Sequence, residues 1–360
     1  MNDRIGIVTG GGDCPGLNAV IRAVVKAAAK RGWESIGFLG GYEGILEPPR
    51  FRQLNYEELG ALLTRGGTIL GANNRGVFSA KVGHGENHRI AQALVDGVKA
   101  TMQNMNLRAL VCIGGDGSLS IAQQLFEQGV AVVGVPKTID NDLACTMFTF
   151  GFDSAVACAT DALDRLHSTA ESHNRVIVIE VMGRYAGWIG LYAGVSGGAD
   201  VILIPEIPFS YESICAKIQE RENIGKHFTL VVVAEGAREK GGEFVTAADQ
   251  PANREARLGG MGAVVAAELE KRTGKEARVC VLGHLQRGGS PTNFDRALCS
   301  MFGAEAVELI AAADYGKMVA FQGSHTTSVK LIDAISRLKT VSPDGGLART
   351  ARALGICLGD

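Results

Sequence analysis

Short apolar runs recur through this chain, several of them ending in a glycine-rich loop that a helix-forming stretch follows, and this recurrence constrains the fold more than any other feature. Ile5-Gly6-Ile7-Val8-Thr9 reads as a buried strand, Gly10 to Gly16 as a loop, and Asn18 to Lys30 as a helix. The helix has an apolar face carrying Val20, Val24 and Ala27 or Ala28, and Gly32 can end it. Trp33 to Leu39 is a second strand. Leu107 to Ile113 is another, followed by Gly114-Gly115-Asp116-Gly117 and a helix through Gln128, and Val130 to Val135 is a further strand ending at Pro136. The later part repeats the alternation, with strands at Val176 to Val181 and Phe228 to Ala234. Helices are expected over Phe152 to His167, Tyr211 to Glu222 and Met261 to Arg272, and a polar loop over Gly241 to Pro251. Strand, loop and helix in that order predict an α/β class: two doubly wound α/β domains with mainly parallel sheets, helices on both faces. Ligands on such sheets sit at the carboxyl ends of the strands.

Composition supports this and excludes several alternatives. The chain has 360 residues, enough for one large unit or two domains. Glycine supplies 48 of them, nearly double the roughly 7% of an average chain. The glycines cluster between apolar runs, where backbone must turn tightly or approach a ligand closely. A net charge of −2 gives no reason to expect bulk nucleic-acid or membrane binding, so an anionic ligand must be gripped by local positive groups. The first residues lack the parts of a signal peptide, and no apolar run approaches the roughly 20 residues of a membrane span. The eight cysteines are scattered singly, which reads as reduced, mostly buried thiols in the cytoplasm. The seven histidines show no zinc-ligand spacing.

Three strand ends carry the density of polar groups that chemistry needs. The first is Gly10-Gly11-Gly12-Asp13-Cys14-Pro15-Gly16-Leu17-Asn18. Its glycines expose backbone N–H groups and the following helix adds a positive dipole end, which favours a phosphate. The plain structural alternative is a tight turn with Asn18 as a helix cap. The second is Gly114-Gly115-Asp116-Gly117-Ser118, where a carboxylate among glycines can hold Mg²⁺ beside a phosphate chain; the alternative is an Asp that caps the next helix. A lysine-bearing P-loop is absent, so a nucleotide would bind by another geometry. The third is Pro136-Lys137-Thr138-Ile139-Asp140-Asn141-Asp142. A hydroxyl attacking a phosphate needs a base within hydrogen-bond reach and cations to offset the transferred charge. Asp140 suits the base, Lys137 a cation, and Asp142 a supporting or metal role; an Asx-turn network is the alternative. Further along, Met182-Gly183-Arg184, Glu235-Gly236 and His284-Leu285-Gln286-Arg287 follow apolar runs and place arginine forks where phosphate oxygens can be bound.

In order, GGGDCPGLN, GGDGS, PKTIDND, ESHNR, VMGRYAG and GHLQRGGSPTNFDR resemble the phosphofructokinase family over nearly the whole chain. The resemblance implies transfer of the γ-phosphoryl group of ATP to the 1-hydroxyl of fructose 6-phosphate, the committed step of glycolysis, with Mg²⁺ as cofactor. It implies a nucleotide- and Mg²⁺-binding domain over 1–150 plus 284–335 and a sugar-phosphate domain over 151–283 plus 336–360. Gly12, Gly115, Gly117, Ser118 and Lys137 would line the donor site, with Asn74 or Arg75 at a further ATP-contacting position. Asp116 would bind Mg²⁺, supported by Asp142. Asp140 would be the general base, with Thr138 and Arg184 in the catalytic set. Thr138, Ile139, Met182, Gly183, Glu235, His284, Gln286 and Arg287 would bind the sugar and its 6-phosphate. Arg175 and Arg278 would reach into a neighbouring subunit's site, which makes a homodimer or homotetramer necessary.

The same resemblance leaves the donor mixed. Gly117 goes with ATP, because a bulkier Asp there crowds the nucleotide, whereas Lys137 is usual in pyrophosphate-dependent members. The open space at Gly117 favours ATP, with pyrophosphate as the alternative. Of the bacterial effector site, Arg22 and Lys26 are present, but Tyr56 and Gly60 stand where Arg and Ser are usual, and near Gly225-Lys226-His227 little beyond Lys226 remains. Weak or absent response to ADP and phosphoenolpyruvate is therefore expected. Lipid and NAD kinases share a GGDG loop but not PKTIDND, MGRYAG or HLQRGG. A non-catalytic sugar-phosphate sensor would be expected to lose Asp116, Asp140 or Arg184, and all three are intact. Sedoheptulose 7-phosphate remains open as a second acceptor.

Overall fold

The computed structural model describes residues 3–73, 76–78, 89–243 and 259–360. In chain order the elements begin β1 (Arg4–Thr9), α1 (Leu17–Lys30), β2 (Glu34–Phe38), β3 (Phe51–Gln53), α2 (Gln92–Asn104), β4 (Leu107–Gly114), α3 (Asp116–Glu127) and β5 (Val132–Pro136). They continue with α4 (Phe152–His173), β6 (Val176–Val181), α5 (Trp188–Ser196), β7 (Val201–Leu203), α6 (Tyr211–Asn223), β8 (Thr229–Ala234), α7 (Met261–Thr273) and β9 (Ala277–Val281). The last are α8 (Asn293–Ala311), β10 (Lys317–Gln322), β11 (His325–Lys330), α9 (Leu331–Ile335) and α10 (Gly346–Ala353). The chain divides into two compact units: Met1–Ser154 with Arg287–Leu338, and Ala155–Gln286 with Lys339–Asp360.

In the first unit seven strands form one sheet in the order β11-β10-β5-β4-β1-β2-β3. The five from β10 to β2 are parallel, and antiparallel β11 and β3 close the two edges. Because successive side chains on a strand face opposite ways, Val8, Leu110, Cys112 and Val132 join one core with Val98 of α2, Leu119, Ala122 and Leu125 of α3 and Ala334 of α9. The alternate residues Ile7, Val111, Ile113 and Val133 are also fully or nearly fully buried, on the face taken by α1 and α8. These two helices pack so closely that a Cβ on Gly303 would lie 2.5 Å from Cβ of Ala23 and 2.9 Å from the carbonyl of Val20.

The second unit has four strands, all parallel, in the order β7-β8-β6-β9. Val176, Val178, Val231 and Val233 pack under Ile214 and Ile218 of α6 and Val265 and Leu269 of α7. On the other face α5 sits close enough that a Cβ on Gly194 would meet Ile202 at 2.5 Å. Both units thus carry the α/β, mainly parallel architecture that the alternation predicts. One expectation needs correction. All eight cysteines are free, but only Cys14, Cys112 and Cys299 are buried, and Cys145 is exposed. A single Cys is tolerated at helix surfaces and strand edges as well as in the core, so scattered spacing did not specify burial. Among the described residues no helix is long and apolar enough to cross a membrane.

Candidate active site

In the first unit β1, β4 and β5 are adjacent and parallel, so their carboxyl ends share one edge of the sheet. From β1 the chain moves to β2 on one side and later returns to β4 on the other. The crevice at such a reversal is where open α/β sheets bind ligands. All three loops singled out in the sequence emerge there. They are laced together by backbone bonds, Gly10 N to Ile113 O and Lys137 N to Gly114 O, both 2.9 Å. Ser118 Oγ fills the space between the first two loops. A Cβ on Gly10 would lie 2.4 Å from that oxygen, and one on Gly114 2.2 Å from Ser118 Cβ. Gly16 supplies the left-handed turn that starts α1, with φ 107°. Asn18 does not cap that helix. Buried, it donates from Nδ2 to the carbonyls of Arg65 and Gly66 and accepts from Ile69 N at 2.8 Å, holding the Arg65–Ile69 segment beside the first loop. That segment continues to Asn73, which pairs with Gly10. Asn74 and Arg75 lie outside the described residues.

Four charged groups converge on these loops. Lys137 is buried and donates from Nζ to the carbonyl oxygen of Gly12. Burial pulls its pKa down, partly offset by nearby Asp116 and Asp140. Arg287 donates from Nη1 to the carbonyl of Asp13 at 3.2 Å, and a Cβ on Gly12 would meet that nitrogen at 3.0 Å. Asp140 has its carboxyl pushed up by burial; Arg287 and Lys137 pull it back, and the like charge of Asp116 adds to the rise. Asp116 opens α3 in its first turn, with Gly115 as N-cap, Gly117 beside it and Ser118 buried one residue further on. Asp116 and Asp140 therefore sense each other's charge across a site with two cations. That donor set suits a divalent ion held by one or two carboxylates and by phosphate oxygens. Among the described residues no group of three or more His, Cys, Asp or Glu side chains forms a cage of its own.

The third loop is rigid for reasons the sequence reading missed. Asn141 takes a left-handed conformation, φ 51°, and its buried carboxamide accepts from Thr149 N at 3.1 Å and donates to Met147 O at 3.3 Å. Thr149 Oγ1 donates to Thr138 O at 2.6 Å, and Thr138 Oγ1 accepts from Asp140 N at 3.1 Å. The available signal was the asparagine itself, since Asn enters the left-handed region more readily than other side chains. Ile139 is wholly buried, and Asp142 is half-buried.

In the second unit β8, β6 and β9 are adjacent, and the loops after them share one edge. Glu235 N donates to Val181 O at 2.9 Å and Gly236 N to Gly183 O at 3.1 Å. A Cβ on Gly236 would lie 2.0 Å from the carbonyl of Arg184, so the glycine is required by this close approach. The Arg184 guanidinium stands over the Tyr185 ring, 5.1 Å from its centre. Gln286 is wholly buried. Its Oε1 accepts from Met182 N at 3.4 Å and its Nε2 donates to Gly283 O at 3.2 Å, so the carboxamide ties the loop after β6 to the turn after β9. His284 is exposed on that turn.

Arg175 and Arg278 lie elsewhere. Arg175 immediately precedes β6 and Arg278 is the second residue of β9, whereas Met182, Gly183 and Arg184 follow the end of β6. Seven residues at the rise of a strand separate Arg175 from Met182 by about 23 Å. The two groups cannot serve one small ligand in one copy of this unit. β9 is the edge strand of the unit's sheet, and Val281 and Leu285, 56% and 68% exposed, lie on it and just beyond it.

Comparison with known proteins agrees with these features. The chain is 53% identical over 357 residues to the ATP-dependent 6-phosphofructokinase of Chloroflexus aurantiacus, covering 99% of this chain and 98% of the relative. It is 48% identical to the pyrophosphate–fructose 6-phosphate 1-phosphotransferase of Amycolatopsis methanolica, covering 95% and 97%. Among solved structures, the phosphofructokinase of Saccharomyces cerevisiae matches with a TM-score of 0.79 at 27% identity, over 93% of this chain and 45% of the yeast chain. The family model for phosphofructokinase matches residues 4–310, and the chain belongs to that family.

Proposed function

We infer that the chain is an ATP-dependent 6-phosphofructokinase, which transfers the γ-phosphoryl group of ATP to the 1-hydroxyl of D-fructose 6-phosphate and so serves glycolysis. The observation that carries this reading is the convergence of Asp116, Lys137, Asp140 and Arg287 on three loops at adjacent strand ends, two of them glycine-rich. In the mechanism we propose, the raised pKa of Asp140 suits it to take the proton from the sugar's 1-hydroxyl as O1 attacks phosphorus in line. Thr138 and Asn141 hold the base in place. Gly12, Gly115, Gly117 and Ser118 present backbone and hydroxyl donors to the donor phosphates, and Lys137 and Arg184 offset charge on the transferred group. Mg²⁺, when bound through Asp116 with support from Asp142, supplies further charge neutralisation on the donor phosphates. Met182, Gly183, Glu235 and His284 grip the sugar phosphate, with Arg287 binding its 6-phosphate.

The opposite placement of Arg175 and Arg278 supports a homo-oligomer in which these arginines serve a second copy's site. The apolar Val281 and Leu285, exposed at the carboxyl end of the edge strand β9 and just beyond it, fit a surface covered by a second copy. Lys137 favours one competing reading, a pyrophosphate donor. The deciding experiment measures fructose 1,6-bisphosphate formation by purified protein with Mg²⁺ and either ATP or pyrophosphate as sole donor. Product with ATP is expected; product with pyrophosphate alone overturns the donor assignment.

A further inference from the structure

Arg175 and Arg278 share a partner that the reaction scheme above does not use. Glu276 precedes β9, and its carbonyl accepts from Val176 N at 3.1 Å. The register Val176 to Ala277 and Ile177 to Arg278 then sets the three side chains at neighbouring positions on adjacent strands. Glu276 Oε2 accepts from Arg175 Nε and Glu276 Oε1 from Arg278 Nη2, so each carboxylate oxygen serves one guanidinium. Arg278 Nη1 also donates to Ala277 O at 3.2 Å. These bonds draw on one donor of Arg175 and two of Arg278, of the five that each guanidinium carries. Nearby Lys275 does not compete for the carboxylate: it pairs with Glu222 at 2.6 Å and donates to His227 O at 2.8 Å.

We propose that Glu276 is a positioning residue for sugar-phosphate recognition, tying Arg175 and Arg278 into one dicationic fork whose remaining donors take the phosphate of fructose 6-phosphate. The proposal rests on the reading that these two arginines grip that substrate. Two guanidiniums side by side repel each other, and an anion binds them best when something else holds them together beforehand. A carboxylate shared between them does this and leaves the cluster with a net positive charge. Consistent with that role, Arg175 first and then Arg278 hold the Glu276 carboxyl below the usual range. A lone exposed ion pair contributes little, but the function assigned here is geometry, not stability.

The test is steady-state kinetics of the full-length protein with ATP as donor, comparing Glu276→Gln, Glu276→Asp, Arg175→Ala and Arg278→Ala. Glu276→Gln is expected to raise KM for fructose 6-phosphate about three- to fivefold, the range of an exposed charged pair. Its kcat and its KM for ATP should stay near wild type, and Glu276→Asp should recover part of the loss. An unchanged or lowered KM for fructose 6-phosphate in Glu276→Gln, with both arginine variants raising it, overturns the role of Glu276 alone. If neither arginine variant raises that KM, the reading of the arginines themselves falls.

Discussion

Lys137 reaches back from the carboxyl end of β5 to donate a hydrogen bond from Nζ to the carbonyl oxygen of Gly12, the residue that would lie against the donor phosphates. One buried ammonium thereby joins the loops after β1 and β5. In Lys137→Met the part-buried carbonyl of Gly12 loses this donor, which costs about 0.5–1.5 kcal/mol, the net worth of an ordinary hydrogen bond. We expect a lower thermal midpoint and a fall in kcat/KM for ATP of at least about tenfold, since the cation that we propose for the transferred phosphoryl is lost as well. Wild-type kcat/KM in this variant would remove Lys137 from the donor site.

Gly117 sits in the first turn of α3, beside Asp116. If the absence of a side chain there admits the nucleotide, Gly117→Asp should cut kcat/KM for ATP by roughly 100-fold through steric and like-charge conflict with the phosphates. Any use of pyrophosphate should survive. Equal loss with both donors would mean that the substitution damages the loop and does not select the donor.

Asp140 combines burial, which raises its pKa, with two cations that lower it. A general base must be ionised to act, so kcat/KM should fall as pH drops through a pKa above the ordinary carboxylate range near 4. Asp140→Asn should lower kcat by about 10²–10⁴ and abolish that acid limb, with little change in sugar binding. A pH–rate profile of the two proteins decides the matter, and an acid limb that persists in the variant would assign the titration to another group.

Asp295, buried in the first turn of α8, accepts from Ser154 N at 2.9 Å and Ser154 Oγ at 2.5 Å, and Ser154 Oγ in turn accepts from Thr292 N at 3.1 Å. This clasp joins the starts of α4 and α8. Burial pushes the Asp295 carboxyl up to about 6, against the pull of the Ser154 bonds. A carboxyl whose pKa is higher folded than unfolded binds its proton more tightly in the folded protein. It therefore weakens the fold as pH rises from about 4 to 6, by about 2–3 kcal/mol in all. Asp295→Asn can keep the acceptor without the charge. The thermal midpoint of wild type relative to this variant should decline from pH 4.5 to pH 7. A difference constant with pH would show that Asp295 titrates as an ordinary carboxylate.

The parts of this molecule legible from its sequence are those with strong local causes. Val176 to Val181 reads as a buried strand because every residue in it is apolar except Glu180, and the loops after β1 and β4 announce themselves by their glycines, the one after β5 by its polar residues. Glu180 shows where the reading stops. Its buried carboxylate accepts from Gly260 N at 3.2 Å and Gly262 N at 2.7 Å at the start of α7, a partnership across about 80 residues that no local pattern reveals. The same holds for Asn18, which looks like a cap and instead holds a segment some 50 residues away. It holds also for Gln286, which looks like a ligand contact and is spent on the Met182 backbone. Polar side chains declare their chemistry in sequence, but only the fold decides which partner uses it up. Conversely, as an edge strand β9 leaves Val279 and Val281 exposed although both are apolar.

Lys26 of α1 stands over the Tyr56 ring, 5.0 Å from its centre, at the place where the family resemblance expects an arginine. A phenol ring offers an anionic effector no positive charge, and its face engages the ammonium of Lys26. A Cβ added at Gly60 would meet nothing within 4 Å, so the residue leaves open the space where a serine hydroxyl would help to hold a phosphate. With two of its polar groups replaced, such a site has little differential affinity to bias one conformation over another, and an effector without differential affinity shifts nothing. ADP should therefore move the half-saturation point for fructose 6-phosphate by less than about twofold, and phosphoenolpyruvate should inhibit weakly. Initial rates against fructose 6-phosphate, with and without each effector, provide the measurement. A sigmoidal curve that ADP converts to a hyperbola would mean that Arg22, Lys26 or groups from another copy bind the effector without the missing arginine and serine.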